Sequence, residues 1–133
     1  MDAIDRRVAL SIALAAFAGS ASAETYEPDR GSEVAPGVRQ IVIGSRPSTL
    51  PHYQRVTMRD VVFQSGTNTY DPAAPNDMLC HVTDGILRVT EAGFDWFAKN
   101  GTGPWTSAKG TKLSYKNVHQ DVAVLRIVDL IAA

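Results

Sequence analysis

Short runs of alternating apolar and polar residues, separated by turn-forming residues, dominate the chain after residue 38. Val, Ile, Thr and aromatic residues, which favour strands, are concentrated in these runs, and Gly, Pro, Asn and Asp lie between them. No stretch after residue 24 shows the period of an amphipathic helix. About seven or eight strands with turns every 8 to 12 residues or so predict an all-β sandwich or barrel. The predicted strands are residues 39–44, 54–63, 78–83, 86–91, 94–99, 104–107, 112–116 and 122–130.

The first 23 residues have the pattern of a cleavable export signal. Arg6 and Arg7 precede a mostly apolar run of about a dozen residues, and small residues then lead to a predicted cleavage site after Ala23. The run is shorter than the roughly 20 residues that a membrane-spanning helix needs. We therefore expect export to a bacterial periplasm or the medium. The paired arginines are similar to a twin-arginine signal, and the general secretory route stays open.

Residues 24–38 mix charges with prolines and glycines, and we expect a flexible arm there. Residues 39–133 are then one β-barrel domain. The chain has 133 residues and a formal net charge of -1, and its Lys and Arg are scattered, which argues against nucleic-acid binding. Cys80 is the only cysteine, so no disulfide can form within the chain, and an apolar core must stabilise the domain.

Four residues fall into the spacing of two motifs that make the chain resemble the cupins, a family of small jelly-roll or double-stranded β-helix barrels. Gly66 and Gly85 stand where the first cupin motif opens and closes, with Val-Thr-Asp before Gly85. Gly110 and Asn117 take the glycine and asparagine positions of the second motif. The resemblance covers about residues 54–130 and implies a single-domain cupin-like barrel.

The same alignment of motifs places the cupin metal ligands at four positions that hold other residues. The two histidines of the first motif fall on Pro72 and Ala74, its glutamate on Met78, and the histidine of the second motif on Leu113. Divalent iron, manganese, nickel and zinc prefer imidazole and carboxylate ligands. We therefore expect no cofactor, no ordinary cupin metal site and none of the oxygenase or isomerase chemistry of the family.

A different metal site would have to use other side chains. Cys80 and His81, with His52, are the types of ligand that suit copper in an exported protein. Adjacent residues of a strand point to opposite faces, so Cys80 and His81 can share an ion only if a bulge intervenes. The alternative for Cys80 is a small, buried apolar residue of the barrel.

The resemblance implies that one strand face, with Met78 and Cys80, looks into the barrel together with Leu113 and Tyr115. Trp105 is expected in this lining or at the edge of the sandwich. Asp60 is the one acid predicted among apolar neighbours, as a possible acid or base or as the partner of an arginine. These six residues are the predicted interior site for a small apolar or aromatic ligand. A core filled by side chains is the alternative.

Three functions are consistent with these patterns. The leading hypothesis is a non-enzymatic binding or accessory domain without a metal, which forms a homodimer. The second is an enzyme that uses an unusual metal site or Asp60 as a metal-independent acid or base. The third is an interaction module that presents the arm of residues 24–38 to another exported protein.

Overall fold

Strands make up almost all of the regular structure in residues 26–133, the part of the chain that the computed structural model describes. Within these residues the only helical element is a turn of 3-10 helix at Asn100–Thr102, and no helix is long and apolar enough to cross a membrane. The strands are β1 (Ser32–Ala35), β2 (Val38–Pro47), β3 (Tyr53–Phe63), β4 (Asn68–Asp71), β5 (Asp77–Asp84), β6 (Ile86–Glu91), β7 (Phe94–Lys99), β8 (Trp105–Ser107), β9 (Leu113–Lys116) and β10 (Ala123–Ala132).

The strands form two antiparallel sheets. The larger sheet has the order β1-β2-β3-β10-β5-β8, and the smaller has the order β4-β9-β6-β7. The last strand of the chain, β10, is therefore central in the larger sheet. It pairs with β3 from Ala123–Phe63 to Ala132–Tyr53 and with β5 on its other side.

Buried and exposed residues alternate along the strands, and the buried ones form the core between the sheets. In β5, Met78, Cys80 and Val82 are buried, whereas Leu79 between them is exposed. The main core takes side chains from both sheets and consists of Val38, Val61, Phe63, Ala74, Met78, Cys80, Val82, Leu87, Val89, Ala98, Leu113, Tyr115, Ala123, Leu125 and Ile127. The prediction of an all-β jelly-roll barrel is confirmed.

The turn from β5 to β6 shows why the sequence needs glycine at this point. Gly85 has a φ of 73°, and a Cβ there would lie 2.5 Å from the carbonyl oxygen of Val122. Only glycine fits both the left-handed conformation and the close approach of the backbone. The two strands that follow this turn, β6 and β7, have the predicted bounds.

The structure corrects two predictions about irregular segments. Residues 24–38 are not a flexible arm throughout, because Ser32–Ala35 forms β1 and pairs with β2, and Val38 is fully buried. β4 was also not predicted, since the prolines after Ser65 and Gly66 indicated a loop. Asn68–Asp71 instead pairs in register with β9. The predicted export signal, residues 1–23, lies outside the described residues.

Candidate functional site

A cavity of about 170 Å³ lies between the two sheets. The larger sheet contributes residues of β1, β2, β3, β5 and β10, and the smaller sheet contributes residues of β4 and β9. Seven of the lining side chains are buried: Val61, Phe63, Met78, Leu113, Tyr115, Leu125 and Ile127. All seven are apolar or aromatic, so the inner wall of the cavity is suited to an apolar ligand.

The rest of the lining is more exposed and mostly polar. It consists of Val34 from β1, Gln40 from β2, Arg59 from β3, and Thr69, Tyr70 and Asp71 from β4. These residues form the mouth of the cavity, where β1 and β2 approach β4. The oxygen Oδ1 of Asp71 accepts a hydrogen bond from the backbone N–H of Ala73 at 3.2 Å, which holds the carboxylate at the end of β4.

Arg59 is the only cationic side chain among the residues that line this cavity, and it is held from two sides. Its Nε donates to Oδ2 of Asp129 at 2.7 Å, and its Nη2 donates to Oδ1 of the same carboxylate at 3.3 Å. Nη1 donates to Oε1 of Gln40 at 2.9 Å. A two-point ion pair fixes the plane of the guanidinium, so Arg59 is a preorganised hydrogen-bond donor group beside the cavity.

Tyr115 brings an aromatic ring to the cavity wall. The ring packs edge-on against Phe63, with 6.3 Å between the ring centroids. Burial raises the pKa of Tyr115 well above its ordinary value, and the neighbouring Cys80 raises this pKa further, so the phenol stays protonated. The hydroxyl is buried beside the Cys80 thiol, which does not line the cavity, so the ring and not the hydroxyl faces a ligand.

Three of the six predicted site residues line the cavity, namely Met78, Leu113 and Tyr115. Cys80 is fully buried in the core but does not line it. Trp105 lies at the end of the core on β8, where its ring is edge-on to Trp96 at 5.7 Å. It is near the sandwich edge, which was one of its two predicted positions.

Asp60 was predicted on the wrong face of its strand. It lies on the outer face of the larger sheet, beside a second small cluster of Ile41, Val62 and Val124. There it is buried, and it forms a two-point ion pair with Arg126 at 2.8 and 3.0 Å. The Tyr26 hydroxyl also donates to it. The predicted alternative, that Asp60 pairs with an arginine, is the observed arrangement. The partner is Arg126, whereas the arginines expected from the sequence were Arg55, Arg59 and Arg88.

The four positions at which the cupin resemblance places metal ligands do not fit a metal. Met78 and Leu113 present a thioether and an alkyl group to the cavity, Ala74 is buried in the core, and Pro72 is exposed in a loop. None supplies an imidazole or carboxylate. Among residues 26–133, no group of three or more His, Cys, Asp or Glu side chains is placed to hold a metal ion.

The structure does not bring together the residues of the alternative copper site. Cys80 points into the core, and His81, its neighbour in β5, lies on the outer face opposite Arg126. His52 is exposed in the turn before β3. Burial raises the pKa of the Cys80 thiol to about 11, so at neutral pH it is neither a good ligand nor a nucleophile.

Sequence reasoning missed Arg59 because it assigned the inner face of β3 to the wrong set of residues. It missed Gln40 because it assigned no inner face to β2, where Gln40 lies opposite Val61. Val61 and Phe63 share the face of Arg59, and both are buried in the main core. These two large apolar residues at the end of the strand were the signal that this face points inward.

No protein-family model and no curated protein sequence matches this chain. Solved structures do match it. KdgF from Halomonas sp. has a TM-score of 0.60 and 17% sequence identity, with coverage of 74% of this chain and 84% of that chain.

Two further matches name the fold in words. An RmlC-like cupin with a double-stranded β-helix fold from Methanocaldococcus jannaschii has a TM-score of 0.55 and 14% identity, and covers 70% of this chain and 81% of its own. A cupin domain from Bordetella pertussis has a TM-score of 0.55 and 15% identity, with 76% and 100% coverage. At these identities the similarity is one of fold, and the fold of this chain is that of the cupins.

Proposed function

We propose that this chain is a non-enzymatic binding domain that takes a small, mostly apolar molecule into the cavity between its two sheets. The observation that supports this proposal is the cavity itself, which seven buried apolar or aromatic side chains line. A core filled by its own side chains would leave no such space.

The volume limits the size of the ligand. An engineered apolar cavity of about 150 Å³ in another protein binds benzene. Pockets for drug-sized molecules are about 300–1,000 Å³. The cavity here, at about 170 Å³, therefore suits a single-ring aromatic or a short alkyl compound.

The enzyme hypothesis has less support from the described residues. The cupin ligand positions hold no metal-binding groups, Asp60 lies outside the barrel in an ion pair with Arg126, and Cys80 carries a protonated thiol away from the cavity. The interaction-module hypothesis needs a free arm, and Ser32–Ala35 of that arm is paired in the larger sheet.

Thermal denaturation with a panel of single-ring and short-chain compounds tests the proposal. A ligand at 100 times its Kd stabilises a folded domain by about 2.7 kcal/mol, which raises the Tm of a domain of this size by on the order of 10 °C. Met78→Trp should fill the cavity and remove this increase. Leu79→Trp is the matched control, since Leu79 is the next residue of β5 but is exposed on the outer face.

An equal rise in Tm for both tryptophan variants would show that the compound binds elsewhere. If Met78→Trp does not fold, Leu113→Phe fills the same cavity from β9. A panel in which no compound raises the Tm of the unaltered protein would refute the proposal.

We also propose that the protein is exported and forms a homodimer. Amino-terminal sequencing of protein from the periplasm checks the predicted cleavage after Ala23. Light scattering on the purified domain gives its mass in solution, and the monomer mass at every concentration would refute the dimer.

A further inference from the structure

Arg59 has hydrogen-bonding capacity that the described protein groups do not use. A guanidinium has five N–H groups. Three of them donate to the oxygens of Asp129 and Gln40, and the second N–H of Nη2 donates to the sulfur of Met78, a weak acceptor, with 3.8 Å between Nη2 and Sδ. One N–H on Nη1 therefore has no acceptor among residues 26–133. It belongs to a side chain that lines the cavity.

Gln40, beside Arg59 in the cavity lining, also offers hydrogens. Its amide oxygen already accepts from Arg59, and its NH₂ group is a donor that it can offer a ligand. Arg59 and Gln40 thus call for an acceptor on the ligand.

The charges around the cavity indicate that this acceptor is neutral. Asp129 already balances the charge of Arg59 in a partly buried ion pair. A further carboxylate, Asp71, lines the mouth. A ligand carboxylate would meet two protein carboxylates and one guanidinium, and it would also lose its hydration, so the cavity disfavours an anion.

We infer that the ligand is an uncharged molecule with a carbonyl or similar oxygen, which accepts hydrogen bonds from Arg59 and Gln40 while its carbon body packs against Val61, Leu113 and Ile127. This inference rests on the proposed binding function. It narrows the ligand class from small apolar compounds to small neutral carbonyl compounds, such as aromatic amides, ketones or esters.

Three probes of similar size separate the possibilities: toluene has no oxygen, benzamide has a neutral carbonyl, and benzoate has nearly the shape of benzamide with a negative charge. Binding is measured by NMR titration at fixed pH and salt. Benzamide should bind the unaltered protein at least about tenfold more tightly than benzoate. It forms the one to two hydrogen bonds without repulsion from the protein carboxylates, and one to two hydrogen bonds correspond to an effect of this size.

The double variant Arg59→Met/Asp129→Leu removes the anchor without leaving a buried carboxylate unpaired. It should weaken benzamide about tenfold and change toluene less than about twofold. The matched control is Asp60→Leu/Arg126→Met, because this ion pair joins the same two strands on the opposite face of the sheet. It should leave both affinities unchanged. If the cavity variant does not fold, Arg59→Lys keeps the charge opposite Asp129 but removes the Nη1 donor.

The outcomes distinguish the inference from the proposed function. Tighter binding of benzoate than of benzamide overturns the neutral ligand. If the Arg59 variants weaken toluene and benzamide equally, or weaken neither, then Arg59 is not the group that holds the carbonyl. The proposed binding function would still stand. Failure of all three probes to bind overturns the inference together with the proposed function.

Discussion

Removal of the Cys80 thiol should make the stability of the protein less sensitive to alkali. Cys80 is fully buried between the sheets, and burial raises the pKa of its thiol from 9.0 to about 11. In the unfolded chain the thiol ionises near its ordinary pKa. Between these two values the unfolded state has lost a proton that the folded state still holds. Rising pH therefore favours unfolding in this range.

The size of the effect follows from the same two values. Each pH unit of difference between the folded and unfolded pKa corresponds to about 1.4 kcal/mol. The contribution of Cys80 is complete below about pH 8 and is lost as the pH rises towards 11. By pH 10.5 the loss should be about 2 kcal/mol in the free energy of unfolding.

The assay is urea denaturation followed by tryptophan fluorescence, under reducing conditions, at several pH values from 8 to 10.5. Cys80→Ala will be less stable than the unaltered protein at pH 8, because it leaves a small void in the core. Its free energy of unfolding should nevertheless fall by about 2 kcal/mol less over this pH range. Tyr115 and other ionising groups are present in both proteins and affect both curves. Parallel curves would refute the reasoning, since they would show that the thiol ionises as easily in the folded protein as in the unfolded one.

Four further substitutions test the packing of turns and of the outer face by urea denaturation at neutral pH. Gly85→Ala should cost about 3 kcal/mol, because its φ of 73° and the backbone of the opposite strand both exclude a Cβ. Gly93→Ala has a φ of 85° but open space, and should cost about 1 kcal/mol; equal losses would contradict the role of the close approach. Asn117→Ala should cost about 2–4 kcal/mol, since its buried amide bonds two backbone carbonyls and one backbone N–H. Tyr26→Phe removes a hydrogen bond to Asp60 and should cost about 1 kcal/mol, and no loss would show that this bond adds nothing beyond the hydrogen bonds to water that it replaces.

The strands that could be predicted well are those whose turns carry their own signal. Gly85 and Gly93 both have positive φ, and the strands between and after them, Ile86–Glu91 and Phe94–Lys99, have the predicted bounds. β5 is also close to its prediction, because the alternation of buried and exposed residues is regular along it. In these segments the local pattern and the final fold agree.

The segments that were missed depend on distant partners. β1 is an exposed edge strand and β4 is short and mostly polar, so neither has an apolar pattern of its own. Each is a strand only because β2 or β9 supplies its hydrogen bonds. The face of β3 on which Asp60 lies was predicted wrongly for a related reason. Both faces of β3 carry apolar residues, so the sequence alone does not show which face points into the barrel. The face with Val62 points outward because Tyr26 and its neighbours cover it there.

The central position of β10 has a consequence for how the chain folds. β10 lies between β3 and β5, so without Ala123–Ala132 the larger sheet falls into two separate pieces. Its partner in that sheet, Tyr53–Phe63, precedes it by roughly 70 residues along the chain. Pairing at such sequence separation is slow and costs loop entropy before any contact compensates for it. We therefore expect the larger sheet to close late in folding, when β10 joins β3 to β5. Until then the edges of β3 and β5 that pair with β10 are unpaired strand edges, which are sites where chains can associate wrongly.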